Sequence, residues 1–222
     1  MKYYASLGHT EFVLCMGYKG EVIRDFFLSA LSANSVLSTV DANTEHVQFA
    51  ASDDFTNWSV TLASTGQDAM TGARIYKVRN YLNNEPFMLT YGDGLSDINL
   101  DALLTYHRSK NLTVTVTGVR PPARFGELQI GSDGIATGFN EKPQASAGMI
   151  SGGFFVCEPA VFDHMNNRED LVFEQDPMQS VVRQKHLAVY QHDGFWQCMD
   201  TFRDWQLLNS MIEQEKAPWK VW

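Results

Sequence analysis

The sequence predicts an α/β protein built on a mixed, mainly parallel sheet, as a single domain over residues 1–222. Three observations predict it. Short apolar runs that read as buried strands alternate with stretches of helical spacing through the first half. The second half adds a hairpin-like segment, which makes the sheet mixed. The 222 residues, 44% hydrophobic and 19% charged, suffice for one sizeable core, and no internal repeat or low-complexity linker divides them.

The elements follow in order. Phe12 to Met16 is an apolar run closed by Gly17, a buried strand. Glu21 to Leu31 puts Val22, Ile23, Phe26, Phe27 and Ala30 at helical spacing. From Asn34 to Phe55 the chain is polar and weakly patterned, with one strand at His46 to Ala50. Trp58 to Ala63 alternates as a strand, Met70 to Leu82 reads as a helix, and Phe87 to Thr90 is a second buried strand. Asn99 is the expected cap of a helix over Leu100 to Lys110. Leu112 to Val119, rich in Thr and Val, is a third strand. Phe125 to Phe139 reads as a hairpin turning at Ser132-Asp133-Gly134. Phe154 to Val156 is a strand, a helix opens near Pro159, and another spans Gln175 to Lys185. Leu187 to Gln191 is a strand, and Phe202 to Lys216 a closing helix.

Composition narrows the function. The net charge of −9 leaves no diffuse basic field for a nucleic-acid backbone. A phosphate site on a small molecule needs only a few local donors, so an anionic metabolite stays compatible. Cys15, Cys157 and Cys198 form no CxxC pair, and two lie in apolar runs, which points to a reducing cytoplasm without structural zinc. The N-terminus has no apolar targeting core, and no apolar run reaches membrane-spanning length. The six histidines lack HxxxH or HExxH spacing.

Several segments carry chemistry. Tyr91-Gly92-Asp93-Gly94 directly follows a buried strand, at the strand end where open α/β sheets bind ligands. Asp93 suits a divalent cation also held by substrate phosphates, or else serves only the turn. Asp200, in Phe195-Trp196-Gln197-Cys198-Met199-Asp200-Thr201, is either a second metal carboxylate or the N-cap of the closing helix. In Glu141-Lys142-Pro143, Lys142 can present a point charge to a phosphate and Glu141 can accept from hydroxyls, or the two are a solvated surface pair. Met70-Thr71-Gly72-Ala73-Arg74 enters a helix with Arg74 as an anion clamp, or as a surface arginine beside a capping turn.

Taken in order, CMGYKG, MTGAR, LTYGDG, PPARFG, FNEKP, SGGFFV, FWQCMDT and KAPWKVW resemble glucose-1-phosphate cytidylyltransferases, within the sugar-1-phosphate nucleotidylyltransferase family. The resemblance runs the length of the chain and is weakest from Asn34 to Phe55. YGDG and EKP are shared across sugar-nucleotide pyrophosphorylases, whereas GYKG, FWxxMDT and KAPWK point to the cytidylyl branch. It implies a Rossmann-like nucleotidyltransferase fold and the reaction of CTP with α-D-glucose 1-phosphate, giving CDP-glucose and pyrophosphate. It implies Asp93, Lys142 and Asp200 as catalytic residues and Mg2+ held by Asp93 and Asp200. Arg74, Gly92, Glu141 and Ser151 would bind substrate. Where the family has Gly-Gly before the arginine, this chain has Gly72-Ala73, and the extra methyl is expected to crowd a close approach. Where the family has Asn before Gly-Gly-Phe-Phe, this chain has Ser151, a shorter sugar contact.

The same resemblance implies an N-terminally incomplete domain. The family opens with a strand, a GGxGTRL loop and a lysine in a KPKP segment, and Met1 aligns with the helix after them. Without the first strand the sheet should keep unpaired ladder groups and an apolar slot. The remaining strands would close it, another chain would fill it, or the natural start lies upstream, which is the favoured expectation. Activity is therefore expected to be impaired, the alternative being a non-catalytic sugar-phosphate-binding or oligomer-forming paralogue. A homo-oligomer is expected, with Trp219 and Trp222 as a candidate contact unless that tail folds back on its own chain.

Overall fold

The computed structural model describes residues 1–32, 35–49, 55–121, 127–132, 134–140 and 148–222. Helices are α1 (Lys2–Ser6), α2 (Gly20–Ser29), α3 (Thr71–Lys77), α4 (Leu100–Lys110), α5 (Asp176–Arg183) and α6 (Phe202–Glu213). Strands are β1 (Glu11–Met16), β2 (Val36–Asp41), β3 (Thr44–Gln48), β4 (Ser59–Ser64), β5 (Phe87–Thr90) and β6 (Gly94–Ser96). They continue with β7 (Val114–Val119), β8 (Glu127–Ile130), β9 (Ala136–Asn140), β10 (Ile150–Cys157), β11 (Leu187–His192) and β12 (Trp196–Cys198).

The sheet is mixed, as expected, and it comes in two halves. One four-stranded sheet runs β1-β4-β3-β2, the other β11-β7-β10-β5, and the β12-β6 and β8-β9 ribbons stand apart from both. Parallel pairing joins β1 to β4 and β11 to β7, and the remaining pairs are antiparallel. Antiparallel pairs outnumber parallel ones because β2, β3 and β4 follow one another as a meander and because β10 runs against both of its neighbours.

The second sheet is covered on both faces. Alternate side chains of β10 point to opposite sides. Phe155 and Cys157 join a core with Ala73, Val116, Val161 and Phe173, while Phe154 and Val156 join one with Tyr4, Ile98, Leu100 and Leu103. Accordingly every residue of β7 is buried. Asn99 caps α4 through its side-chain oxygen, which accepts from Ala102 N–H at 2.9 Å. A third core gathers Met16, Phe27, Phe49, Phe55, Trp58 and Leu62 under the first sheet.

The mainly parallel pairing expected is not what the strands adopt, and α2, α3 and the C-terminal tail add further detail. On α2 only Gly20 and Phe27 are fully buried, while Val22, Ile23 and Phe26 are 61%, 42% and 57% exposed. Phe27 carries the helix's contact with the core, and Phe26 packs edge-on against Phe55 at 6.0 Å while staying largely exposed among the described residues. The helix expected over Met70 to Leu82 is α3, after which Arg79–Tyr81 tightens into a 3-10 turn. The C-terminal tail divides its tryptophans: Trp219 is buried and stacks on Phe195 at 5.0 Å, whereas Trp222 is 49% exposed.

Candidate functional site

Beyond β5 the chain passes through Tyr91-Gly92-Asp93 into β6, which pairs antiparallel with β12 in the register Gly94↔Cys198. One further bond extends the ribbon, from Met199 N–H to Asp93 C=O at 2.9 Å. Two motifs a hundred residues apart thus become adjacent backbones, and Asp200 follows directly on the residue bonded to Asp93. Both carboxylates are exposed.

The ribbon is fixed by its other end. Asp97 accepts from Phe195 N–H at 2.8 Å and lies 3.0 Å from His192 Nε2, while Ser96 Oγ donates to Phe195 C=O at 2.6 Å. Trp196 reaches across to β10, donating Nε1–H to Gly152 C=O at 2.8 Å. Gly153, at φ +75°, sits where β10 shifts register between Ser151 and Phe155. A side chain there would meet the Tyr91 ring at 3.0 Å. Ser151 Oγ accepts from Gly153 N–H at 3.3 Å. The bulge therefore fits SGG, YGDG and FWQCMD against one another. Asp97, Trp196 and Gly153 were not singled out in the sequence, since their contacts all cross between distant segments.

Asp200 is not the cap of α6. Thr201 is, accepting from Asp204 N–H at 3.2 Å while the Asp204 carboxylate accepts from Thr201 N–H at 2.9 Å. Asp200 instead accepts from the Cys198 thiol at 3.2 Å. Burial first, and then that bond and the negative charge beside it, push the Cys198 thiol up to about 11.

Arg74 points into its own loop. Its guanidinium donates to Thr65 Oγ1 at 2.8 Å, Gly66 C=O at 2.9 Å and Gln67 C=O at 3.1 Å. A Cβ at Gly17 would lie on that guanidinium, so a side chain there would push Arg74 off these bonds. The methyl of Ala73 is buried in the core, and its N–H donates to Leu171 C=O at 3.0 Å, so it packs inward and does not crowd an open approach. Gly92 is exposed, and a Cβ there would meet nothing within 4 Å. Glu141 and Lys142 lie outside the described residues.

Among the described residues no group of three or more His, Cys, Asp or Glu gathers to hold a metal ion. Two exposed carboxylates on adjoining strand ends nevertheless suit a hard cation that keeps waters and takes its remaining oxygens from substrate phosphates. Carboxylate oxygens of this kind are donors for a divalent cation, and the Cys198 thiol stands beside them on Asp200.

An α/β protein with two aspartates at adjoining strand ends has them where open α/β sheets bind ligands. Comparison with known proteins narrows this. The model of the family described as nucleotidyl transferase matches residues 13–214. The chain is 41% identical over 222 residues to a Bacillus subtilis (strain 168) protein named "Probable glucose-1-phosphate cytidylyltransferase", spanning 100% of this chain and 85% of that one. It is 39% identical over 224 residues to "Glucose-1-phosphate cytidylyltransferase" of Salmonella typhimurium (strain LT2), with the same 100% and 85% coverage. The crystal structure of HddC from Yersinia pseudotuberculosis matches 96% of this chain and 83% of its own with a TM-score of 0.63, at 16% identity, a likeness of fold. The same protein is also known complexed with GMP-PN. The chain belongs to the nucleotidyl transferase family.

Proposed function

We propose that this chain transfers a cytidylyl group from CTP to α-D-glucose 1-phosphate, forming CDP-glucose and pyrophosphate. The observation that carries the reading is the bond between Met199 and Asp93, which joins the two aspartate motifs into one strand-end ribbon in a chain 39–41% identical to proteins named for this reaction. The sugar phosphate oxygen attacks the α-phosphorus of CTP, the new P–O bond replaces the bond to the leaving group, and pyrophosphate departs. Such chemistry needs positioning and charge neutralisation more than a covalent intermediate.

Asp93 and Asp200 would hold Mg2+, which when bound neutralises charge on the reacting phosphates. Gly92, with open space where a Cβ would lie, lets substrate approach the backbone closely. Ser151 would contact the sugar, Lys142 its phosphate and Glu141 its hydroxyls. Arg74 would act at one remove, by holding the 65–67 loop. The exposed apolar residues Val22, Ile23 and Phe26 of α2 support a homo-oligomer, and three free cysteines support a reducing, cytoplasmic setting. No helix among the described residues is long and apolar enough to cross a membrane.

The test is pyrophosphate release by the purified chain with CTP, glucose 1-phosphate and Mg2+. Release that needs all three is expected, at an impaired rate beside that of the Bacillus subtilis and Salmonella typhimurium relatives, with UTP and GTP poorer donors. Glucose 1-phosphate binding by calorimetry without pyrophosphate release would instead support the non-catalytic reading.

A further inference from the structure

α6 leaves the candidate site, and the chain beyond it comes back to the same ribbon. At the near end Asp200 leads into the Thr201–Asp204 capping box, and Gln197 of β12 donates Nε2–H to Asp204 Oδ1 at 3.1 Å. At the far end Glu215 takes the left-handed conformation at φ +55°. Its N–H donates to Ile212 C=O at 3.1 Å, and Lys216 N–H donates to Met211 C=O at 2.8 Å. That paired bonding stops the helix and fixes the direction in which the chain leaves it. Lys220 N–H then donates to Ala217 C=O at 3.0 Å, closing a turn around Trp219. Trp219 is 4% exposed and stacks on Phe195 at 5.0 Å, with 26° between the rings. Among the described residues from 200 to 222, Leu208 and Trp219 alone are buried, so Trp219 is a principal anchor of the segment that starts at Asp200.

Phe195 is the fixed end of the ribbon. Its N–H donates to Asp97 Oδ1 at 2.8 Å, and its C=O accepts from Ser96 Oγ at 2.6 Å with His192 Nε2 3.2 Å away. The ribbon has three residues on each strand and stands apart from both four-stranded sheets. So short a pair does not hold its register unaided. We propose that Trp219 is a positioning residue for the cation site: its stack on Phe195 closes the 200–219 segment onto the ribbon and keeps Asp93 and Asp200 on adjoining strand ends. A stacked ring buries apolar surface and also fixes the orientation of its partner ring, which bulk alone does not. Losing the ring lets the Phe195 end shift, and the bond between Met199 and Asp93 at the other end opens with it. The inference rests on the reading of Asp93 and Asp200 as cation ligands, and it gives the KAPWK segment a part in the proposed reaction.

The test compares Trp219→Ala, Trp219→Phe and Trp222→Ala in the full chain. Amide exchange is read residue by residue with NMR, and Mn2+ affinity is measured with CTP and glucose 1-phosphate present. Trp219→Ala is expected to speed exchange of the Phe195 and Met199 amides by roughly tenfold or more, with the β7 and β10 amides unchanged. Mn2+ affinity and the kcat of pyrophosphate release should each fall by roughly tenfold or more. The KM for glucose 1-phosphate should hold, because its proposed contact Ser151 lies on β10, outside the ribbon. Trp219→Phe should restore most of each loss, and Trp222→Ala, at an exposed position, should match the unaltered chain. Unchanged exchange at Met199 in Trp219→Ala would overturn the proposal, as would a Phe variant no better than Ala. Faster exchange with Mn2+ affinity unchanged, in a chain where Asp93→Asn weakens that affinity, would overturn it too. If Trp219→Ala does not fold, Trp219→Leu takes its place, and failure of that variant to fold would overturn the proposal by making Trp219 a support of the whole core. Asp93→Asn judges the cation reading separately: if it leaves Mn2+ binding undiminished, that reading fails, while the exchange arm still decides whether Trp219 holds the ribbon.

Discussion

Thr201 and Asp204 close the capping box of α6 between themselves, and Asp200, just before it, accepts from the Cys198 thiol at the end of β12. A residue at a strand-to-helix junction is ambiguous in sequence, because caps and metal ligands draw on the same residue types. The structure resolves it one position along. Asp93→Asn and Asp200→Asn are each expected to lower pyrophosphate release by roughly 100-fold, since each removes charge needed where phosphate charge shifts. Thermal unfolding should move little, because exposed substitutions usually change stability by about 0.5 kcal/mol or less. Arg74 is the reverse case. The helix entry suggested an anion clamp, but three acceptors from Thr65, Gly66 and Gln67 meet its guanidinium. Arg74→Ala should cost about 1–3 kcal/mol in urea unfolding by leaving loop acceptors unpaired.

At the scale of elements, long patterned segments were legible and short paired ones were not. Phe87–Thr90 and the Asn99 cap match expectation residue for residue, because an apolar run and a cap are local facts. β6 and β12 have three residues each, too few to show alternation, and each is a strand only because the other is there. β2 is exposed along its whole length, and its apolar residues Val36, Leu37 and Val40 do not alternate as a half-buried strand would. The register shift in β10 was equally hidden, although Gly152-Gly153 stood in plain view. Gly153→Ala tests what that bulge does. The left-handed backbone and the Tyr91 ring both oppose a side chain, so a loss of about 1–3 kcal/mol is expected by denaturant titration. Activity should fall further than stability accounts for, because YGDG and FWQCMD are aligned through this strand.

For the whole molecule, the mixed α/β class was readable from alternating patterns, and strand order was not, because partners depend on tertiary packing. The split into two sheets is the main case. β1 and β5 are each the edge of their own sheet, and a groove of about 660 Å³ lies between them. The molecule also carries a pH dependence that follows from its cores. Burial pushes the Cys15 thiol from near 9 up to about 11, and raises that of Cys157 further. Both thiols resist ionising in the folded state, so their contribution is intact below about pH 9 and is lost as pH rises. Above that, stability should fall by about 1.4 kcal/mol per pH unit for each thiol, levelling for Cys15 near 11. Urea midpoints followed across this range should show the decline, and Cys15→Ala should lessen it.

The central claim is that two distant aspartates form one divalent-cation site, and Mn2+ binding followed by electron paramagnetic resonance tests it most directly. In the presence of CTP and glucose 1-phosphate the chain should bind one Mn2+, and either Asp93→Asn or Asp200→Asn should weaken that binding by roughly tenfold or more. Undiminished Mn2+ binding by both folded variants would contradict the account.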